Sequence, residues 1–330
     1  MGSLDVVGIG NAIVDAVAEA SDALLAEEDL PKGSMTLIDA ARADALRARM
    51  GAAAEICGGS AANTMVGVAG LGGTAGYVGK VRSDDAGAVF RRDIREAGVD
   101  FPTPAAAEGA ATARCLVFVT PDAQRTMTTY LGACVELGPA DIDPDFIARA
   151  RLLYMEGYLW DPPAAKDAFR KALGIAHDAG GRVCLSLSDS FCVGRHRAEL
   201  RDLVANHVDV LFANEDEAMS LYEVGDFDTA LAAARADCAI AALTRSAKGS
   251  VVAGNGAVHT IEAAPVAHVV DTTGAGDLYA AGFLLGLARG FALDRCARLA
   301  ALTAGEIVGH YGARPEADIA PLVEASRQPL

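Results

Sequence analysis

At 330 residues, 52% hydrophobic and 22% charged, the chain is long and apolar enough for one large domain with an accessory element, which excludes a disordered polypeptide. A net charge of −16, with no long Lys/Arg run, argues against DNA or RNA as a partner. The seven cysteines include no C-x-x-C pair and read as reduced thiols, not a disulfide framework.

The first residues, Met1-Gly2-Ser3-Leu4-Asp5, lack the basic region of a secretory signal, and Val6 stands where a myristoylation site needs Ser or Thr. The apolar run 278–288 is shorter than the roughly 20 residues of a membrane span. The expectation is a cytoplasmic protein with no membrane partner.

A first strand over 6–9 leads into Gly10-Asn11-Ala12-Ile13-Val14-Asp15, read as a loop at the carboxyl end of a sheet. An isolated strand follows over 34–38, then a helix over 61–71, a strand over 76–81 and a helix over 86–97. Residues 114–120 and 125–130 form a hairpin around Pro121-Asp122. Beyond it, strands over 152–156, 183–187, 208–213 and 240–244 alternate with helices over 163–179, 229–234 and 277–288. This alternation predicts an α/β fold with helices on both faces of a sheet. Residues 1–14, 41–102 and 134–330 make the large domain, and 15–40 with 103–133 make a small β lid.

The string Asp271-Thr272-Thr273-Gly274-Ala275-Gly276-Asp277 precedes an apolar helix through Leu278, Ala281, Phe283 and Leu285. Small residues let the backbone approach an anion, and the helix N-terminus turns N–H groups and the positive dipole end toward it. Asp277 beside such a site can take a proton from an attacking hydroxyl. A lone Asp there would read as a helix cap, but a cap requires neither both glycines nor the threonines. In Asn214-Glu215-Asp216-Glu217, an Asn and a Glu three apart on a helical turn share a face and suit a water-coordinated Mg²⁺; the plainer alternative is a solvated acidic helix start. Asp15 can accept hydrogen bonds from both hydroxyls of a vicinal diol, while Asn11 and Asn63 can donate and accept; the plainer alternative is a turn of Gly, Asn and Asp. Gly79-Lys80-Val81 lacks the spacing of a P-loop, and Gly70-x-Gly72-x-x-Ala75 follows a helix where a dinucleotide fingerprint would follow a strand.

The string at 271–277 resembles the C-terminal signature of the PfkB, ribokinase-like family of sugar and nucleoside kinases, and Gly58-Gly59-Ser60-Ala61-Ala62-Asn63 resembles its N-terminal element. The likeness runs from about residue 6 to about residue 315. It implies a ribokinase-like three-layer α/β/α sandwich with a β-sheet lid, using ATP with Mg²⁺. Asp277 would be the catalytic base, and Gly274, Ala275 and Gly276 the anion hole. Asn214 and Glu217 would organise Mg²⁺ and the phosphates, with Thr244, Gly249 and Thr273 along the ATP. Thr244 and Gly249 belong to a Thr-x-Gly-x-x-Gly loop whose first glycine is Ser246 here. Asp271 and Thr273 fall where many family members hold a monovalent cation such as K⁺.

On the acceptor side, the likeness implies that Asp15 grips sugar hydroxyls beside Asn11, Gly58, Gly59 and Asn63, in a spacing similar to that of adenosine kinases. The segments 129–134 and 157–158 resemble places that line a nucleoside base, which singles out Cys134 and Tyr158. Arg125 resembles an arginine that reaches the reacting phosphate when the lid closes. The implied activity is transfer of the γ-phosphate to the 5′-hydroxyl of a nucleoside such as adenosine, by a monomer or homodimer. The alternatives are a ribokinase- or fructokinase-type sugar kinase and an inactive ligand-binding regulator; the intact Asp277 and Glu217 oppose the last.

Overall fold

A computed structural model describes residues 2–122 and 124–328, leaving Met1, Ala123, Pro329 and Leu330 outside the description. From the N-terminus, β1 (Leu4–Ile9) and β2 (Ile13–Glu19) are followed by α1 (Asp22–Glu27), β3 (Met35–Leu37) and α2 (Ala40–Arg49). β4 (Ala54–Gly58) runs into α3 (Ser60–Gly70), ahead of β5 (Ala75–Val78), α4 (Asp85–Glu96) and β6 (Val99–Asp100). The paired β7 (Ala113–Val119) and β8 (Arg125–Tyr130) precede α5 (Pro144–Ile147), β9 (Ala150–Glu156), α6 (Pro163–Asp178) and β10 (Arg182–Ser186). The alternation continues through α7 (Ser190–His207), β11 (Val210–Asn214), α8 (Glu215–Tyr222), α9 (Phe227–Asp237) and β12 (Ile240–Thr244). A hairpin of β13 (Ser250–Gly254) and β14 (Ala257–Ile261) leads to α10 (Ala275–Ala288), α11 (Leu293–Ile307) and α12 (Leu322–Ala325).

Nine strands form one sheet in the order β14-β13-β12-β11-β10-β9-β1-β5-β6, parallel from β12 to β6 with β13 and β14 antiparallel at one edge. Val6, Val7 and Ile9 of β1 are all fully buried, as a strand covered on both faces requires. One apolar core lies between this sheet and α6 to α9, and the other between the sheet and α3, α4, α10 and α11. α10 is buried almost all round, from Leu278 through Leu287, because it is wedged against α3, α11 and the sheet. The ribokinase-like three-layer architecture is therefore as expected, and the carboxyl ends of the parallel strands share one edge of it. None of the described helices is long and apolar enough to cross a membrane.

The second sheet runs β3-β8-β7-β2-β4. Ala16, Ala18, Leu116 and Phe118 on one face pack onto Leu25 of α1 and Leu46 of α2. On the other face, the register sets Ile56, Asp15, Cys115, Thr129 and Leu37 in one row across all five strands. Two expectations need correction. Residues 10–15 are not simply a loop, since β2 begins at Ile13 and makes Asp15 a strand residue. The small sheet also takes Ala54–Gly58 and is backed by α2, both of which the division at residue 41 had given to the large domain.

Candidate active site

The two motifs, more than 200 residues apart in sequence, meet through hydrogen bonds. Ser60 Oγ donates to Asp277 Oδ1 (2.6 Å) and Asn63 Nδ2 to Asp277 Oδ2 (3.3 Å), joining the start of α3 to the start of α10. Burial raises the Asp277 carboxyl to about 6, and these two donors hold it from rising further. The group is thus mostly ionised at neutral pH. Gly274 caps α10 in the left-handed conformation (φ 80°) and offers no side-chain acceptor; Ala275 N donates to Thr272 O (3.2 Å), which leaves the N–H groups of Gly276 and Asp277 for an anion. Nothing stands within 4 Å of where a Cβ on Gly276 would lie. Packing within the protein therefore does not demand glycine at that position.

Asp15 projects from β2 toward the same space. A Cβ on Gly58 would collide with its carboxylate, which explains a small residue at that point. Burial raises Asp15 to about 7; Arg314 and, less strongly, Arg125 oppose the rise, and the charge of Asp277 adds to it. The Oδ1 atoms of Asn11 and Asn63 are buried without a hydrogen-bond partner. Behind them Glu156, fully buried at the end of β9, accepts from the backbone N–H groups of Asn11 (2.7 Å) and Ala61 (2.7 Å). It ties the exit of β1 to α3, and burial raises it to about 7.

Of the residues expected along the nucleotide, Asn214 and Thr244 lie side by side at the ends of β11 and β12. Asn214 is the N-cap of α8 and not a residue within it. Its amide donates to Glu217 Oε1 (2.6 Å), its N–H donates to Glu217 Oε2 (3.0 Å), and Glu217 N donates back to Asn214 Oδ1 (2.8 Å). The pair is a reciprocal capping box, and Glu217 is 5% exposed, so neither the shared helical face nor the solvated alternative describes it. Burial raises Glu217 to about 7, with the charges of Asp189 and Asp216 adding a smaller part. No three His, Cys, Asp or Glu side chains among the described residues are grouped to hold a metal ion directly. Ser246 adopts a left-handed φ of 51°, which accounts for the preference for glycine at that point of the loop, and Gly249 has φ 80°.

Other expected residues have different surroundings. Asp271 accepts Thr273 N and Oγ1 on one oxygen and Gly312 N and the Arg125 guanidinium (2.8 Å) on the other. Arg125 thus pairs with Asp271 and lies over the Tyr311 ring, and it supplies positive charge where a monovalent cation was expected. Cys134 is 1% exposed and its thiol donates to Leu131 O, so it does not face a ligand. Tyr158 is 38% exposed, and its hydroxyl is raised by burial and then by the charges of Asp189, Asp277, Glu217 and Glu156, which places it among the carboxyls of the site. A groove of about 330 Å³ instead opens beside the Asp15 row, lined by Leu37, Ile38, Thr129, Tyr130 and Leu131. Sequence reading missed Ser60, although it lay inside the quoted motif. It also missed Glu156, whose signal was a carboxylate ending an apolar strand, and Arg314, which had none.

A sandwich of this topology with a carboxylate at a glycine-rich helix N-terminus is the arrangement of a small-molecule kinase. The chain matches the model of the pfkB family of carbohydrate kinases over residues 32–320 and belongs to that family. It is a phosphotransferase with an alcohol acceptor. It is similar to the structure of adenosine kinase from Sinorhizobium meliloti (50% identity, TM-score 0.91), which covers 98% of this chain and 100% of that one. A probable sugar kinase from Rhizobium etli is similar to the same degree (46%, TM-score 0.91, 99% of each chain). ATP-dependent ribose-1-phosphate kinase of Halopiger xanaduensis is 32% identical over 79% of this chain and 84% of its own length.

Proposed function

We propose that the chain transfers the γ-phosphate of ATP to the 5′-hydroxyl of a ribonucleoside, adenosine first among them. The observation that carries this reading is a pair of buried carboxyls on the two sides of the site, Asp15 on β2 and Asp277 at the start of α10, near enough for the charge of Asp277 to reach Asp15. Asp15 would accept the 2′- and 3′-hydroxyls, with the unpartnered Oδ1 atoms of Asn11 and Asn63 as further acceptors. The 5′-hydroxyl would then face Asp277. Asp277 takes its proton as the oxygen attacks the γ-phosphorus and the bond to the ADP oxygen breaks. The N–H groups at the start of α10 would receive the charge on the migrating phosphoryl group, in the room left beside Gly276. Thr244, Gly249, Thr273 and Asn214 would border the nucleotide. Mg²⁺ would neutralise phosphate charge, with Glu217 reaching it through water and Asp189 and Asp216 close by.

The groove beside Leu37 and Thr129 continues the Asp15 row and offers a mainly apolar place for a base. Burial of Cys134 removes one expected base contact and keeps a free sugar as the second reading. The deciding experiment is kcat/KM for adenosine, 2′-deoxyadenosine, ribose and fructose under one set of conditions. Adenosine should lead, with the deoxy analogue weaker by up to about 10⁴-fold because a desolvated carboxylate loses its partner. Ribose or fructose leading the series would overturn the nucleoside reading and leave the kinase assignment intact.

A further inference from the structure

Asp271, in the loop that leads into α10, has a donor for every lone pair of its carboxylate. Its Oδ1 accepts from Thr273 N (3.0 Å) and Thr273 Oγ1 (2.7 Å). Its Oδ2 accepts from Gly312 N (3.1 Å) and pairs with Arg125 Nη1 (2.8 Å). An ionised carboxylate offers about four lone-pair sites, so none is left over. The donors come from three parts of the chain: the loop itself, the segment after α11 and lid strand β8. The Arg125 and Asp271 side chains are 14% and 11% exposed, so the pair is mostly out of water and only weakly screened. The Tyr311 ring lies 5.4 Å from the Arg125 guanidinium and holds it from a second side. The same segment then reaches the anion hole. Ala313 follows Gly312, and its Cα stands 2.7 Å from where a Cβ on Gly274 would lie. The cluster at Asp271 thus fixes the backbone that caps α10.

We propose that Arg125 is the internal cation of this loop: its guanidinium, carried by the lid, takes the place at Asp271 that a monovalent ion was expected to fill, and the kinase does not require such an ion. K⁺ does not fit the residues present. Asp271 has no free lone pair for it, and a second positive charge at the same carboxylate would stand against the guanidinium already paired there. Mg²⁺ is not affected, since Glu217, its proposed carboxyl, belongs to α8. Arg125 is a positioning residue in this role. It acts through Asp271 and Gly312 on the backbone at Gly274, and the charge balance of that backbone depends on a side chain of the lid. Removing the guanidinium leaves a mostly buried carboxylate without its partner charge, which is strongly destabilising. The space it leaves would be bordered by Asp271 Oδ2 and the Tyr311 ring, both of which attract a small cation. The inference needs only the phosphotransferase assignment and holds for any acceptor.

The test compares the wild type with Arg125→Lys and Arg125→Ala in KCl and in choline chloride, at one ionic strength of about 0.1 M so that screening is equal. Two quantities are read. One is the Tm of the ligand-free protein, where no phosphate is present to draw Arg125 away from Asp271. The other is kcat with MgATP and the acceptor turned over best. In the wild type and in Arg125→Lys, both should be the same in the two salts. In choline chloride Arg125→Ala should melt several degrees lower and lose kcat by about 10- to 100-fold, the scale of a slightly misplaced reacting group. KCl or millimolar guanidinium should restore part of both in that variant, and the effect should saturate. A wild type whose kcat or ligand-free Tm rises saturably with K⁺ overturns the proposal. So does an Arg125→Ala variant that equals the wild type, or one whose losses neither cation relieves, which would make Arg125 a packing residue. If Arg125→Ala does not fold, the wild type and Arg125→Lys still decide: equal values in the two salts uphold the proposal, and activation by K⁺ overturns it.

Discussion

Asp277 stands at a balance of two opposing effects. Desolvation at the start of α10 raises its carboxyl, and the donors Ser60 and Asn63 pull it back, to about 6. That value suits a base, since it is ionised at pH 7 yet more basic than an exposed aspartate. Asp277→Asn keeps the shape and removes the proton acceptor, so kcat should fall by about 100-fold or more with little change in ATP affinity. In the wild type, kcat should decline as the pH is lowered through about 6, because protonation removes the base. Near-normal turnover in the purified variant, or a rate flat from pH 7 to pH 5, would refute the role. Glu156 has a similar environment but a different task. Both its oxygens are taken by backbone donors, so it fixes the approach of Asn11 and Ala61 without facing a ligand.

At the scale of elements, the lid carries Asp15, the residue proposed to hold the acceptor, and meets the body through polar contacts that include Arg125 with Asp271, Arg314 with Cys57 and Cys57 N with Asp93 of α4. Its open face bears Met35, Leu37 and Ile56, 49%, 55% and 39% exposed, enough apolar surface to gain from closing on a ligand. Acceptor with an ATP analogue should therefore slow amide exchange in β7 and β8. Identical exchange with and without ligand would mean a sheet already fixed in place. The lid also shows what was legible from sequence. The β7–β8 pair announced itself by two β-prone runs around the turn residues Pro121-Asp122, and the βαβ body by its alternation of short β-rich and amphipathic stretches. β4 did not, because Ala54, Glu55 and Ile56 are exposed and carry no burial pattern. The β13–β14 hairpin was readable and was overlooked: Asn255-Gly256, at φ 53° and 78°, is a strong hairpin turn signal between two β-prone runs. Asp277 and Asp15 could be picked out because their motifs are local. Arg314 could not, since its partner Cys57 lies 257 residues away and only the folded chain brings the two together. The burial of Cys134 was not legible either, because position in the chain does not tell which way a side chain turns.

For the whole molecule, the site gathers four carboxyls whose ionisation the fold disfavours. Burial is the leading cause at each: Asp15, Glu156 and Glu217 are raised to about 7 and Asp277 to about 6. A carboxyl with a folded pKa above its unfolded value binds more protons folded than unfolded between the two values. The free energy of unfolding therefore falls as pH rises through that window, here from roughly 4 to 7. Carboxyls held low by their partners, such as Asp84, Asp122 and Asp271, act in the opposite sense, and their contribution is lost only in more acid solution. The ligand-free protein should thus melt several degrees higher at pH 5.5 than at pH 8. Self-repulsion at a net charge of −16 would tilt the curve the same way, so the slope alone does not identify the site. Asp15→Asn separates the two, because it removes one strained ionisation and changes the overall charge by a single unit. The variant should exceed the wild type in Tm at pH 8 and lose that advantage near pH 5, where Asp15 is protonated in the wild type as well. Parallel Tm curves for the two proteins from pH 5 to pH 8 would mean that Asp15 is no burden to the fold. The same variant should bind the acceptor more weakly, since the charge that destabilises the ligand-free chain is the one that acceptor hydroxyls are proposed to satisfy.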